Sequence, residues 1–204
     1  MRQFLAVVAL TTVAFAASAH ADVSTDPKKA PSGAYAVEPR HTQVLWGIPH
    51  LGISDFYGRF EKVSGTLNYN AAAPEKSAVA ITIQMSSLNT PVAALTSELA
   101  EQSMFDAAQF PTATFKSTAI GRTGPTTGKI TGDLTLHGVT KPVTLDATFG
   151  GGLPDPFSGN YDIGFHATAT INRKDFGIDN AVLNSFTTPD VKLIIEALFT
   201  QQKN

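Results

Sequence analysis

Cysteine is absent from the 204 residues. Thiol catalysis, thiolate-bound metals and disulfides are therefore excluded together, and the fold must rest on apolar burial. Charge is sparse: 16% of residues are charged and the formal net charge is −2. Such a balance argues against nucleic acid and against anionic membrane surfaces as partners. One Trp and four Tyr are too few for the two aromatic girdles of an outer-membrane barrel. Beyond the first residues no stretch is apolar enough for a transmembrane helix. Beyond His20, the histidines His41, His50, His137 and His166 show neither His-x-His nor HExxH spacing, and no carboxylate stands at ligand spacing from them, so no metal is expected.

What is present begins with a targeting pattern. Arg2 is a short positive region, Phe4 to Ala17 is uncharged and mostly apolar, and Ala19-His20-Ala21 fits a small-x-small cleavage site. Residues 1–21 are read as a signal peptide, which places the mature protein in the periplasm of a bacterial source. Setting aside 21 of 204 residues leaves 183 and, because Arg2 is lost, a net charge of −3. That length suits one domain burying roughly 70% of its extended surface. Residues 22–34, polar and containing Pro27 and Pro31, read as a flexible leader.

The clearest structural signal lies between Lys129 and Phe149. Ile130, Leu134 and Leu136 alternate with Lys129, Thr131, Asp133 and Thr135; then Val143, Leu145, Ala147 and Phe149 alternate with Thr144, Asp146 and Thr148. Period-two alternation describes strands with one dry face. The connection is expected between Gly138 and Pro142, giving an antiparallel hairpin. The pattern recurs along the chain. Gly33–Glu38 is a short strand broken by Pro39. Thr42–His50 carries Val44, Trp46 and Ile48, with Pro49 favouring an edge or bend. Gly58–Tyr69 is one strand bulged near residues 62–65. Ser77–Ser87 carries Ile81, Ile83 and Met85. Ala113–Ile120 contains Phe115, Tyr161–Ile171 contains Ile163 and Phe165, and Asp190–Thr200 contains Leu193 and Ile195. Gly150–Ser158 is expected as a Gly/Pro loop and Arg173–Pro189 as a long connection. Only Pro91–Met104 has helical period, through Val92, Leu95, Leu99 and Met104. About eight short strands, each with one apolar face, close best as an antiparallel β-barrel. At that size the interior either fills with side chains or holds one small ligand.

Several motifs, in order, resemble one family. Met104-Phe105-Asp106 through Phe110-Pro111 to Phe115-Lys116-Ser117-Thr118, Gly132-Asp133-Leu134-Thr135-Leu136-His137-Gly138-Val139-Thr140-Lys141-Pro142-Val143, Ile171-Asn172-Arg173-Lys174-Asp175-Phe176-Gly177, and Arg40-His41-Thr42 through His50 together are similar to the YceI-like, polyisoprenoid-binding family. The resemblance implies an all-β, eight-stranded antiparallel lipocalin-like barrel over residues 35–200 with one short helix, exported from the cytoplasm. It further implies an apolar pocket for a long-tailed isoprenoid or fatty-acid-like lipid, with no other cofactor required. Thr96-Ser97-Glu98-Leu99 departs from the more basic run the family carries there. Pocket residues expected on the inward faces are Val44, Trp46, Ile48, Ile81, Ile83, Met85, Leu99, Phe105, Phe115, Leu134, Leu136, Leu145, Phe149, Ile163 and Phe165. Arg173 with Asp175 is expected as a structural salt bridge, with a head-group contact as the other reading. No catalytic residue is expected, since no nucleophile elbow or comparable constellation is present. A lipid-modifying enzyme, a stress-related interaction protein with an incidental pocket, and a homodimer formed at an apolar mouth remain open readings.

Overall fold

The computed structural model describes residues 22–203; the signal-peptide reading of residues 1–21 falls outside them. The alternating segments become eleven strands: β1 (Gly33–Val37), β2 (Gln43–His50), β3 (Ser54–Phe60), β4 (Val63–Tyr69), β5 (Ala78–Gln84), β6 (Leu88–Asn89), β7 (Thr112–Arg122), β8 (Thr127–Leu136), β9 (Val139–Pro154), β10 (Tyr161–Asn172) and β11 (Asp190–Gln201). Helix α1 (Ala93–Ala100) lies between β6 and β7, and α2 (Ala181–Phe186) between β10 and β11.

The sheet runs β1-β4-β5-β7-β8-β9-β10-β11 and closes through β1 against β11. This is a closed eight-stranded antiparallel barrel. The three remaining strands extend positions in that ring. β2 continues β1, and both lie on β11, β1 at Phe199–Gln201 and β2 at Lys192–Glu196. β3 continues into β4, and β6 extends β5 beside β3. The strand expected as Gly58–Tyr69 with a bulge is thus two strands in line, interrupted at Glu61 and Lys62. The Thr42 hydroxyl spans the gap between β1 and β2. It donates to the Leu198 carbonyl at 3.2 Å and accepts from the Leu198 N–H at 3.0 Å.

Three local features depart from the sequence reading. The β8–β9 connection is a two-residue turn, since Leu136 pairs with Val139. His137 and Gly138 both have positive φ, 52° and 75°, the mirror-image turn whose twist matches paired strands. Pro142 therefore lies inside β9, opposite Asp133, on a stretch that β10 leaves unpaired because its pairing with β9 starts at Asp146. Gly150–Gly152, expected in a loop, belong to β9, which runs to Pro154. The register between β9 and β10 shifts at Gly164/Phe165, so Gly150 is an extra residue that bends the strand. Finally, the leader is seated rather than loose. Asp26 caps a 3₁₀ turn over Pro27–Lys29, Ser24 bridges Gly152, and the Tyr35 and Tyr69 hydroxyls donate to the carbonyls of Pro31 (2.7 Å) and Pro27 (2.8 Å).

The β1–β2 corner carries a pH-sensitive clasp. Burial pushes the Glu38 carboxyl up, but hydrogen bonds from the side chains and backbone of Arg40 and His41 outweigh it and hold it down at about 2. A carboxyl depressed in the folded state contributes stability above its unfolded pKa and loses it as pH falls. Glu38→Gln should therefore lower stability at pH 7 yet match the parent near pH 2. Urea melts between pH 6 and 2 check this; parallel curves would show that the clasp contributes nothing.

Candidate functional site

Inward side chains of the barrel divide into two packed clusters with space between them. One cluster, under the helices, includes Trp46, Ile48, Phe60, Met85, Leu99, Met104, Leu136, Ile171 and Phe176. The other, at the leader end, includes Tyr35, Leu67, Tyr69, Phe149, Ile163 and Phe199. Three cavities follow the barrel's length. An upper one of about 450 Å³ lies beneath α1, α2 and the β2–β3 hairpin. A central one of about 130 Å³, with an apolar lining apart from Thr42, occupies the lumen and shares Leu193 with the upper cavity. A lower one of about 440 Å³ lies at the leader end.

The upper cavity is built by elements whose local chemistry is legible. In α1, Leu95 and Leu99 point down onto the cavity, one helical turn apart. The helix stops at Ala100, short of the expected Met104, because Glu101 turns extended and its N–H returns to the Glu98 carbonyl. Phe105 then folds back to meet Phe60 edge-on, ring centres 5.9 Å apart. The opposite wall is α2, which replaces the expected featureless connection. Asn180 caps it, accepting from the Val182 and Leu183 N–H groups at 2.8 and 3.3 Å, and its own amide donates to the Ser103 carbonyl at 3.3 Å. Val182, Leu183 and Phe186 face the cavity, and Phe186 stacks on His50 with centres 6.1 Å apart.

Arg173 fixes this wall. The residue is 4% exposed, and its guanidinium donates to the Ile178 carbonyl and to Asn184 Oδ1, each at 2.7 Å. Burial lowers its pKa and Asp179 partly restores it. The expected Arg173–Asp175 bridge is not formed: Asp175 is exposed, and Asp179 is instead paired with Lys174 at 3.0 Å. The backbone turns through Arg173–Phe176 as a 3₁₀ helix, which carries the two side chains apart. His137 supports the same turn, its Nδ1 lying 3.1 Å from the Phe176 carbonyl.

The expected pocket residues separate along the barrel. Trp46, Ile48, Leu99, Phe105 and Leu136 line the upper cavity. Val44, Ile81, Ile83, Phe115, Leu134 and Leu145 line the central one, Phe149 the lower, and Phe165 both central and lower. Met85 and Ile163 line none of the three. β5 ends at Gln84, so Met85 sits in a 3₁₀ turn with its side chain packed in the core at 2% exposure. Ile163 is fully buried against Tyr35 and its neighbours. Alternation alone did not bring α2, Phe56 or Phe60 into the upper wall. The signal for α2 was available in the Asn180 cap and the 182, 183, 186 spacing.

The upper wall also depends on a close approach. The Trp46 indole lies flat over Gly58, where a Cβ would stand 2.2 Å from its Cζ2. Gly58→Ala should drive the indole into the upper cavity, reducing any apolar ligand's affinity by about tenfold or more and costing about 1–3 kcal/mol of stability. Titration with a polyene fatty acid, followed by quenching of this single tryptophan, reads the first effect; unchanged affinity would place the ligand elsewhere.

A barrel of this topology, with this hollow lumen, can be set against known proteins. The family model described as YceI-like domain matches residues 35–199. The chain belongs to the YceI-like family. It is similar to a UPF0312 protein of Pseudomonas fluorescens (strain SBW25), 41% identical over 161 residues, which cover 79% of this chain and 83% of the relative. Among solved structures it is similar to the Campylobacter jejuni YCEI protein, at 30% identity and a TM-score of 0.66, covering 76% of this chain and 90% of the other. The fold is also shared with a polyisoprenoid binding domain from Saccharophagus degradans, at 15% identity and a TM-score of 0.60, covering 82% and 98%. The YceI-like match begins within β1 and ends within β11, so it spans the closed ring and both helical walls of the upper cavity. Among the described residues no helix is long and apolar enough to cross a membrane.

Proposed function

We propose that this YceI-like protein is an exported lipid carrier or store that holds a long-tailed isoprenoid or similar amphiphile, of quinone or polyprenyl type, in its upper and central cavities. The observation that carries the reading is a pair of apolar cavities, the helix-covered upper one and the lumen below it, with Leu193 in the wall of both. Each buried CH₂ contributes about 0.8 kcal/mol, so one five-carbon unit is worth roughly 4 kcal/mol. About five such units would reach the practical ceiling near 20 kcal/mol. Cavity length, rather than affinity, therefore selects the tail.

Two donors on the upper wall favour an oxygen-bearing ligand over plain hydrocarbon. Trp46 Nε1 and Arg173 Nε are buried without a hydrogen-bond partner. An unpaired buried donor costs about 1–3 kcal/mol, which a ligand carbonyl, ether or phosphate oxygen would relieve. Polar groups at the mouth, His50, Ser54, Asp55 and Glu98, leave the head near water. The fold shared with a polyisoprenoid binding domain supports the same class of ligand. Membership of a binding-domain family supports binding rather than turnover as the role. The sequence pattern of residues 1–21 supports a periplasmic address.

Native mass spectrometry of the protein from its own cells, followed by organic extraction, tests the proposal. A stoichiometric long-tailed isoprenoid or quinone is expected. A barrel that is empty and also rejects added polyprenols would overturn it, and a chemically altered ligand would replace carriage with catalysis.

A further inference from the structure

The lower cavity lies outside the pair just described. It is about as large as the upper one, 440 against 450 Å³. Its boundary with the central lumen is shared by Ile120, Ile130, Ala147 and Phe165, and Phe165 is the bulkiest of the four. That ring is braced edge-on by Tyr69, Phe149 and Phe199, with centres 6.4, 5.4 and 6.1 Å away. On the lower side, Tyr69, Ile130, Ala147, Phe149 and Phe165 make an apolar floor. The lip is polar and comes from two elements: the seated leader (Thr25–Lys28) and the β7–β8 hairpin (Gly121–Gly128).

The charges on that lip are unequal in availability. Lys28 and Arg122 are exposed and belong to none of the ion pairs of the described residues. Arg122 makes only long contacts, 3.5 Å, to the Gly124 and Pro125 carbonyls. The single carboxylate on the lip, Asp26, already accepts the Lys28 N–H at 3.0 Å to cap the leader's turn. Two free cations above an apolar floor match a short tail ending in an anion.

We infer that the lower cavity is a second binding site, taking a short-chain amphiphile with a carboxylate or phosphate head held by Lys28 and Arg122. Its tail rests on the Phe165 cluster, and it enters from the end opposite the helices. It does not depend on what the upper cavity holds. The site would give the barrel two occupants of different class, one at each end, with the aromatic partition keeping them apart.

The test uses the full mature chain, labelled with ¹⁵N, titrated with dodecanoate, dodecyl phosphate and neutral dodecanol. Both anions should shift amides of Lys28, Arg122 and Gly128. Lys28→Glu/Arg122→Glu should weaken that site for the anions by about tenfold or more while leaving thermal stability unchanged, since both side chains are exposed. The neutral pair Lys28→Gln/Arg122→Gln should give an intermediate loss. Equal affinity in parent and double reversal would overturn the site, as would shifts confined to α1 and α2. Geranylgeraniol added afterwards separates the two proposals: a ternary complex supports this site, and one-for-one displacement of the anion refutes it. Rejection of geranylgeraniol alone would count against the upper-cavity reading only.

Discussion

Replacing Phe165 with alanine should join the central and lower cavities and let the barrel accept a longer tail. The ring is half-buried because it faces space on both sides. Removing it leaves Tyr69, Phe149 and Phe199 without their common contact and opens a passage along the barrel axis. Truncating a core Phe costs about 3–5 kcal/mol, and the lower end applies here because the ring already borders cavities. At about 2–4 °C per kcal/mol for a chain of this size, the melting temperature should fall by roughly 6–12 °C. Binding should respond in the opposite sense for long tails. In the parent, affinity across a polyprenol series should rise by steps and then stop at the length that reaches Phe165. In Phe165→Ala the limit should move outward by at least one isoprene unit, worth roughly 4 kcal/mol if fully buried. Competition binding with prenols of increasing length measures both limits. Identical limits in the two proteins would mean that the tail never reaches the partition. Phe165→Leu, which keeps an apolar plug of smaller size, should fall between them.

The barrel itself was legible because alternation is a strong signal when every strand has one dry face. β7, β8, β10 and β11 lie within two residues of the segments read from the sequence, and the interruption between β3 and β4 showed as slipped alternation at residues 62–65. Alternation also yields the count of about eight strands, and the motifs add the expectation of a pocket. The hollow was not legible, because inward Ile, Val and Leu side chains give the same pattern whether they meet across the lumen or leave space. Thus Ile163 and Phe165 share a face, yet one is sealed against Tyr35 and the other divides two cavities. Met85 was misplaced for a backbone reason: its parity continued β5, but the chain had already turned into a 3₁₀ helix. Helix α2 is weakly marked because its six residues span less than two turns, so the Asn180 cap and the 182, 183, 186 spacing are its whole signal. Gly150–Gly152 read as a loop because glycine marks both turns and bulges, and only the pairing with β10 distinguishes them.

The second large effect is expected at Arg173, where the structural and the head-group readings part. Arg173→Met keeps an apolar stem of similar length and removes both donors that hold Ile178 and Asn184. Hydrogen bonds from a charged donor are worth about 1.5–3 kcal/mol each. Relief of the buried charge offsets part of that loss. A net cost of about 3 kcal/mol is expected. The damage should be local, because Asn184 belongs to α2 and Ile178 to the segment leading into it. Hydrogen exchange at the amides of Val182–Thr187 should accelerate by about a hundredfold or more, while β7 and β8 exchange as in the parent. With α2 released, Val182, Leu183 and Phe186 no longer close the upper cavity, so polyprenol affinity should fall alongside stability. Asn184→Ala removes one of the two bonds together with the one the Asn184 amide donates to Asp179 at 2.7 Å, so it should reproduce at least half of the stability loss, and the double variant should show coupling rather than addition. Asp175→Asn should be silent, since that carboxylate is exposed and forms none of the ion pairs of the described residues. If Arg173→Met instead leaves α2 exchange and stability intact but abolishes binding of phosphate-headed lipids, the guanidinium serves the ligand directly. Because both outcomes weaken binding, exchange at α2 is the readout that separates a wall-supporting arginine from a head-group arginine.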